Sequence, residues 1–349
     1  MVTVVFNALL ALADGLLLGA AAKRPAPKVA VVALIAFGGI ALLLAATLGE
    51  NIFGCFRLLS HAIFFHGVLF LAVLAAAQWK TARKGALFSA LLASLLGIVA
   101  VDAFLIEPHW LEVSHGRIPS TKLKRAVRVA VIADFQTDSI GEYEESVLRR
   151  LIAERPDLIL LAGDHLQQEG PGLTPLREAF RKLIRELNVT APLGIFAVRG
   201  NIDPQDWARV FDGLPIVAIE KTRSIDLGEL RLTALGMQDS FNVNLSVPPS
   251  DRFQLVLGHS PDFALGNVQG DLLVAGHTHG GQVRIPGLGP LIIESRIPHS
   301  WAAGVTALTG GRTLVVSRGI GMERDTAPRL RFFCRPELVV IDLVPAGAP

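Results

Sequence analysis

Four apolar runs fill the first third of the chain: residues 2–22, 29–48, 62–79 and 86–106. Each holds 18–21 residues, and about 20 in a helix span the hydrocarbon core of a bilayer. Backbone amides find no water there, so runs this apolar can cross only as helices. Charge is distributed to match. Residues 1–106 contain seven Lys/Arg and three Asp/Glu, and the other 243 residues carry the remaining 54 charged side chains. Hydrophobic residues make up 51% of the chain, and its mean hydropathy is +0.47. Four spans in succession exclude a lone signal peptide. The first also lacks a basic start, although Ala20-Ala21-Ala22 imitates a cleavage site.

Few polar groups interrupt the spans. Asp14, Asp102, His61 and His66 do, and ionisable groups at such depth often mark function; an interfacial place for Asp102 is the plainer alternative. Lys23, Arg24 and Lys28 follow the first span, and Lys80, Arg83 and Lys84 follow the third, while only Arg57 lies between the second and third. The positive-inside rule puts the first and third loops in the cytoplasm and the C-terminal part outside the plasma (inner) membrane of a bacterium. Arg117, Lys122, Lys124 and Arg125, soon after the last span, pull the other way. Residues 107–125, with Pro108, Gly116, Pro119 and Ser120, read as a linker along the membrane surface. Its basic end could meet anionic headgroups, or it is a plain solvated connector.

Beyond the linker, short apolar runs end repeatedly in polar residues. Val129–Ala133 is followed by Asp134-Phe135-Gln136, Leu158–Ala162 by Gly163-Asp164, and Ile195–Val198 by Arg199-Gly200-Asn201-Ile202-Asp203. Leu255–Leu257 leads to Gly258-His259, and Leu272–Ala275 to Gly276-His277-Thr278-His279-Gly280-Gly281-Gln282. Such runs read as strands buried on both faces. A strand continued through His277 and His279 would turn both imidazoles to one side. Polar groups at the carboxyl ends of strands in α/β folds converge on a ligand crevice. Each element has a plainer reading alone: Asp134 and Asp164 as caps or turn formers, Asn201 as a turn residue, His259 as a packed core histidine. Together they form a mixed oxygen and nitrogen set that suits a divalent transition metal better than calcium.

In order and spacing these clusters resemble the calcineurin-like metallophosphoesterases. The Gly-His-Thr-His-Gly-Gly-Gln stretch and the ending Phe332-Phe333-Cys334-Arg335-Pro336-Glu337 are similar to the membrane-linked bacterial branch. The resemblance implies a four-layer αββα sandwich over residues 126–349, preceded by a four-helix transmembrane domain over residues 1–106. It implies two divalent ions, manganese, zinc or iron. Asp134, Gln136 and His279 would hold one, Asn201, His259 and His277 the other, and Asp164 would bridge them, with Asp164, Asn201 and His277 nearest the chemistry. The implied substrate is a phosphate-containing small molecule or lipid.

Two positions depart from the family pattern. Gln136 stands where the motif has a His, giving a neutral, weaker ligand. Ile202 stands where Gly-Asn-His-Asp has the His that stabilises the transition state or protonates the leaving group. A two-metal site still supplies a nucleophile and clamps the phosphoryl oxygens, but without an acid an alkoxide leaves poorly. The sequence therefore favours a phosphoanhydride or an activated ester. Enzymes that split the pyrophosphate of UDP-2,3-diacylglucosamine in lipid A synthesis also lack that His, which is a second reading and one that needs a cytoplasmic domain. A third is a metal- or lipid-binding pseudoenzyme. Arg199, Arg318 or Arg324 could replace the lost positive charge, and His165 the proton.

The rest narrows little. The net charge of +2, a single Tyr and the lack of a basic stripe speak against nucleic acid. Cys55 and Cys334 make no disulfide framework. Helices are expected over 144–154 and 176–187, and later strands over 230–235, 313–316, 330–333 and 338–343. The Pro- and Gly-rich stretch 284–312, with His299 and Trp301, either shapes a substrate pocket or packs on the sheet.

Overall fold

The computed structural model describes residues 1–23 and 26–347. Arg24 and residues 348–349 lie outside them. The chain divides into two compact units: Met1–Ile106 with Glu323–Leu330, and Glu107–Met322 with Arg331–Pro349.

In the first unit α1 runs Val2–Lys23, α2 Pro27–Leu48, α3 Ile52–His61, α4 Gly67–Gln78 and α5 Arg83–Val101. A π-helical turn, Ala62–His66, joins α3 to α4, and a second, Asp102–Ile106, extends α5. The four resulting helices are long and apolar enough to cross a membrane. The third begins at Ile52, not near residue 62 as hydropathy indicates. Arg57, Ser60 and His61 dilute the apolar signal, but Asn51 caps the true start, accepting the Gly54 N–H at 2.8 Å. Buried small residues recur three or four apart along α2 (Ala30, Ala33, Ala41, Ala45), around Phe37, which stacks on Phe70 of α4. Such spacing lets helices approach closely where burial from water cannot drive them together. Glu323–Leu330 belongs to this unit through Thr326, whose hydroxyl accepts from Asn51, and Asp325, whose carbonyl accepts from Arg57.

The second unit is built on β1 (Glu112–Ser120), β2 (Val127–Ile132), α6 (Glu142–Ala153), β3 (Leu158–Leu161), α7 (Leu173–Glu186), β4 (Ile195–Val198) and β5 (Ile216–Ile219). It continues with β6 (Arg223–Leu227), β7 (Leu230–Ala234), β8 (Phe253–Leu257), β9 (Leu272–Ala275), β10 (Gly304–Ala307), β11 (Thr313–Val316) and β12 (Glu337–Pro345). One six-stranded sheet has the order β1-β12-β2-β3-β4-β5, the other β10-β11-β9-β8-β7-β6. Period-two alternation decides what each strand faces. Val129, Val131, Leu158 and Leu160 meet Leu232, Leu255, Leu257 and Val274 between the sheets. Ala130, Ile132 and Ile159 face Val147, Leu151 and Phe180 of the helices outside the first sheet. The outer face of the second sheet is covered more thinly, by a 3-10 turn carrying Phe263 and Ala264 and by loop residues such as Trp301.

Two expectations change. Residues 107–125 are not a free linker. Residues 112–120 are β1, an edge strand in parallel register with all of β12, and the Glu107 carboxylate accepts the N–H groups of Phe333 and Cys334. Residues 330–333 are not a strand. Phe332 makes only an isolated bridge to Val283, and Phe333 has a left-handed backbone at φ 50°.

Candidate metal centre

The carboxyl ends of β2, β3 and β4 from the first sheet meet those of β8 and β9 from the second. Within each group the strands are parallel, so their polar termini open on the same side. Donor atoms of Asp164, His259 and His277 lie within 4.8 Å of one another, all three residues buried. Asp164 Oδ2 is 3.2 Å and Asn201 Oδ1 2.8 Å from His259 Nε2. Asp134 Oδ1 is 3.8 Å from His259 Nδ1, and both Asp134 oxygens accept the His277 N–H at 3.0 Å. The Gln136 N–H bonds the Asp164 carbonyl at 2.9 Å, and its side-chain amide donates to Gln167 at 3.0 Å.

Backbone carbonyls fix which imidazole nitrogen points inward. A carbonyl only accepts, so the ring nitrogen facing it carries the proton. His259 gives Nδ1–H to Ala162 at 2.8 Å, leaving Nε2 for the centre. His277 gives Nε2–H to Glu294 at 2.7 Å, leaving Nδ1. The strand does not extend through the two histidines. It stops at Ala275, and His277 and His279 have φ of 70° and 48° in the turn beyond. Asp134, Gln136 and Asp164 are also left-handed, at 47°, 37° and 53°. Non-glycine residues rarely adopt this conformation, and it concentrates at functional sites. The neighbouring glycines make room: a Cβ on Gly200 would strike Asp164 Oδ1, and one on Gly276 would press on Asp134.

The buried carboxylate and imidazole donors have the chemistry of a divalent-ion site, and burial and mutual charge set their protonation. Burial drives the Asp134 carboxyl upward, to about 8, despite the His259 charge. Burial also opposes ionisation of Asp164, but the His259 charge and hydrogen bond, with the His277 charge, outweigh it and hold this group at about 2. Burial alone would neutralise His259, yet the Asp164 charge and hydrogen bond, then Asp134, push it up to about 9. At neutral pH the His259 imidazolium thus faces one carboxylate, Asp164, at 3.2 Å, while burial favours the protonated form of Asp134. Burial and the His259 charge hold His277 down at about 4, and burial with the Arg331 charge puts His279 well below its ordinary value. Both stay neutral, the form that binds metals.

Asp203 stands out, although no role for it is expected from its place in the motif. Its carboxylate accepts three backbone N–H groups, from Asp164 at 2.9 Å, His165 at 2.8 Å and Gly200 at 2.9 Å. An Asp three residues after a strand-ending Gly is the only signal that could have marked it. Phe241, edge-on to His277 with centroids 4.9 Å apart, carries no such signal. Nor does Arg331, fully buried, whose guanidinium donates to the carbonyls of Arg318, Gly319, Gly321 and Cys334.

Of the substitutes proposed for the missing histidine, His165, Arg199 and Arg318 are engaged elsewhere. His165 stacks on Trp207, centroids 5.5 Å apart, and its Nε2 bonds the Val198 carbonyl at 3.0 Å. Arg199 donates to the Asp203 carbonyl, and Arg318 pairs with Glu112 and Glu337. Arg324 falls in the other unit. Ile202 meets the cluster through its backbone, its N–H bonded to Asp164 Oδ1 at 2.9 Å. Of the 284–312 stretch, Trp301 packs on the second sheet and His299 bonds the Pro290 carbonyl at 3.2 Å.

Residues 127–281 match the family model of the calcineurin-like phosphoesterases. The chain is 28% identical to the uncharacterized metallophosphoesterase YkuE of Bacillus subtilis (strain 168), over 68% of this chain and 87% of that one. It is also 28% identical to the phosphodiesterase YaeI of Escherichia coli (strain K12), over 68% of this chain and 90% of that protein. A metallophosphoesterase of Aquifex aeolicus (strain VF5) is 25% identical, over 69% and 95%. The matched segment holds all seven candidate ligands at the ends of its strands, and residues 127–281 form a calcineurin-like phosphoesterase domain.

Proposed function

We propose that the chain is a membrane-anchored, two-metal phosphohydrolase for phosphoanhydrides or activated phosphoesters, its substrate lipid-linked or envelope-derived. The observation that carries this reading is the buried Asp164–His259–His277 cluster with Ile202 beside it. Asp134, Gln136 and His279 would hold one ion, Asn201, His259 and His277 the other, and Asp164 would serve both. Divalent ions there would stabilise charge on the phosphoryl oxygens and activate water.

The protein groups supply geometry. Asp203 fixes the backbone of Asp164, and Asp134 holds the His277 main chain. Ala162 and Glu294 set the two imidazole tautomers. Ile202 offers no proton to the departing oxygen, and His165 is turned into the hydrophobic core. A substrate whose leaving group departs as a stable anion suits this arrangement: phosphate, phenolate, or the phosphate of a lipid diphosphate. Activity of the purified full-length chain on monoesters, diesters and pyrophosphates, with metal analysis, tests the reading. Asp164→Ala should remove both metal and turnover. A variant that keeps full activity with full metal content would refute the site.

A further inference from the structure

Four of the few polar side chains in the spans form a connected chain between the first and third. Asn7 and Asp14 lie on α1, His61 ends α3, and His66 ends the π turn. Asp14 Oδ2 is 2.7 Å from His66 Nδ1, His66 Nε2 is 3.3 Å from Asn7 Oδ1, and Asn7 Nδ2 is 3.2 Å from His61 Nδ1. The Asp14 and His66 side chains are each only 14% exposed.

The π turn makes this chain possible. Residues seven apart on an α-helix share a face, as Asn7 and Asp14 do, but residues five apart diverge by about 140°. A π turn, bonded i to i+5, brings residues five apart to about one full turn. Gly67 N–H bonds the Ala62 carbonyl across it, and both imidazoles reach the single Asn7 amide. Such turns are rare and recur at functional sites.

Hydrogen-bond roles then follow in sequence. With the Asn7 amide oriented by these two bonds, Nδ2 donates to His61 and Oδ1 must receive the His66 Nε2–H. His66 Nδ1 is left facing a carboxylate at 2.7 Å. A bare nitrogen lone pair cannot sit that close to an ionised oxygen, so one further proton lies between them. Asp14 Oδ1 is buried and bonds no protein group among the described residues.

We propose that Asp14 and His66 form a proton-binding site inside the membrane unit. It takes one proton from water and holds it between Nδ1 and Oδ2. Loaded, the pair is neutral overall, as carboxyl and imidazole or as carboxylate and imidazolium. Emptied, it is a carboxylate and a neutral imidazole of net charge −1, the proton having returned to water. A bare charge in hydrocarbon is costly, so loading removes a penalty that the apolar surroundings impose. Asn7 and His61 position His66 and do not carry the proton. The other charged groups on the packed helices are Arg57 on α3, Lys23 and Lys28 at the facing ends of α1 and α2, and Arg83, Lys84 and Asp102 at the ends of α5. None of them bonds a member of the chain among the contacts described here.

The test is nitrogen-15 histidine NMR of the full-length chain in phospholipid nanodiscs, with infrared detection of the Asp14 carboxyl. At neutral pH the native chain should show either a doubly protonated His66 or a protonated Asp14. Raising the pH should release that proton in one step shared by both groups. Asp14→Asn should leave His66 neutral and protonated at Nε2 alone. An ionised Asp14 beside a singly protonated His66 in the native chain at neutral pH would overturn the proposal, and that measurement needs no variant. Where the native chain shows a doubly protonated His66, unchanged His66 signals in a folded Asp14→Asn chain would overturn it as well.

Discussion

Asp203 touches no candidate ligand except through the backbone, yet its carboxylate sets where Asp164 stands and ties it to Gly200. Asn in its place offers one acceptor oxygen and turns an N–H toward an N–H. Leaving a buried donor unpaired costs about 1–3 kcal/mol, so Asp203→Asn should lower the thermal midpoint by several degrees. It should also weaken manganese binding in calorimetry, and unchanged affinity would limit Asp203 to a fold role. Ile202 poses the opposite case, a residue whose backbone N–H bonds Asp164 but whose side chain has no proton to give. General acids typically supply roughly 10²–10⁴-fold, so Ile202→His should raise alkyl phosphoester turnover well above any gain on a pyrophosphate. Equal gains on both would mean that leaving-group protonation does not limit the reaction. The Asp164, His259 and His277 cluster was legible in the sequence because each member follows an apolar run. The left-handed backbone of His277 and His279 was not, since it follows from glycine-lined crowding that only the assembled strands create.

At the scale of elements, the strands that run through the core were readable, because burial on both faces demands uninterrupted apolar residues. β9 and β11 lie where their apolar runs do. β1 was hidden: apart from Val113 and Ile118 its residues are polar, charged, Gly or Pro, because an edge strand has one side in water. Residues 330–333 were misleading for the reverse reason. Two Phe imitate a strand, but Arg331 draws its carbonyl partners from the surrounding loops. β12 joins β1 to β2, and here Arg128 grips Asp342 across the ladder with bonds of 2.7 and 3.1 Å. The Arg128 hydrogen bond holds the Asp342 carboxyl below its ordinary value. A depressed carboxylate stabilises the fold above its unfolded value near ~3.9 and loses that contribution as pH falls through the folded one. Asp342→Asn should therefore be less stable than the native chain at neutral pH, by at most about 1 kcal/mol for so exposed a pair. The difference should close below about pH 4. A difference that persists there would assign the loss to packing.

For the whole molecule, if all four long apolar helices cross a membrane, the Asn51 loop and residue 107 lie on one aqueous side and the Lys80–Lys84 loop on the other. Reporter fusions after residue 115 and within that loop should give opposite locations, and matching locations would refute four spans. An extracytoplasmic signal at 115 would agree with the basic first and third loops. A cytoplasmic one would instead favour the sugar-nucleotide pyrophosphate reading. Span number was legible from apolar length, but the true start of the third helix was not, because the groups that line its interior, Ser60 and His61, are those that depress hydropathy.

The candidate ligands come from both sheets: Asp134, Gln136, Asp164 and Asn201 follow strands of the first, His259, His277 and His279 strands of the second. Mechanically, bound ions would act as rivets through two stacked plates, loaded in shear whenever one sheet slides over the other. Pulled apart in an optical trap, the metal-loaded unit should yield at markedly higher force than the chelated one. It should also yield in a single rupture, since no sheet can leave while its strand tips remain fastened to its neighbour.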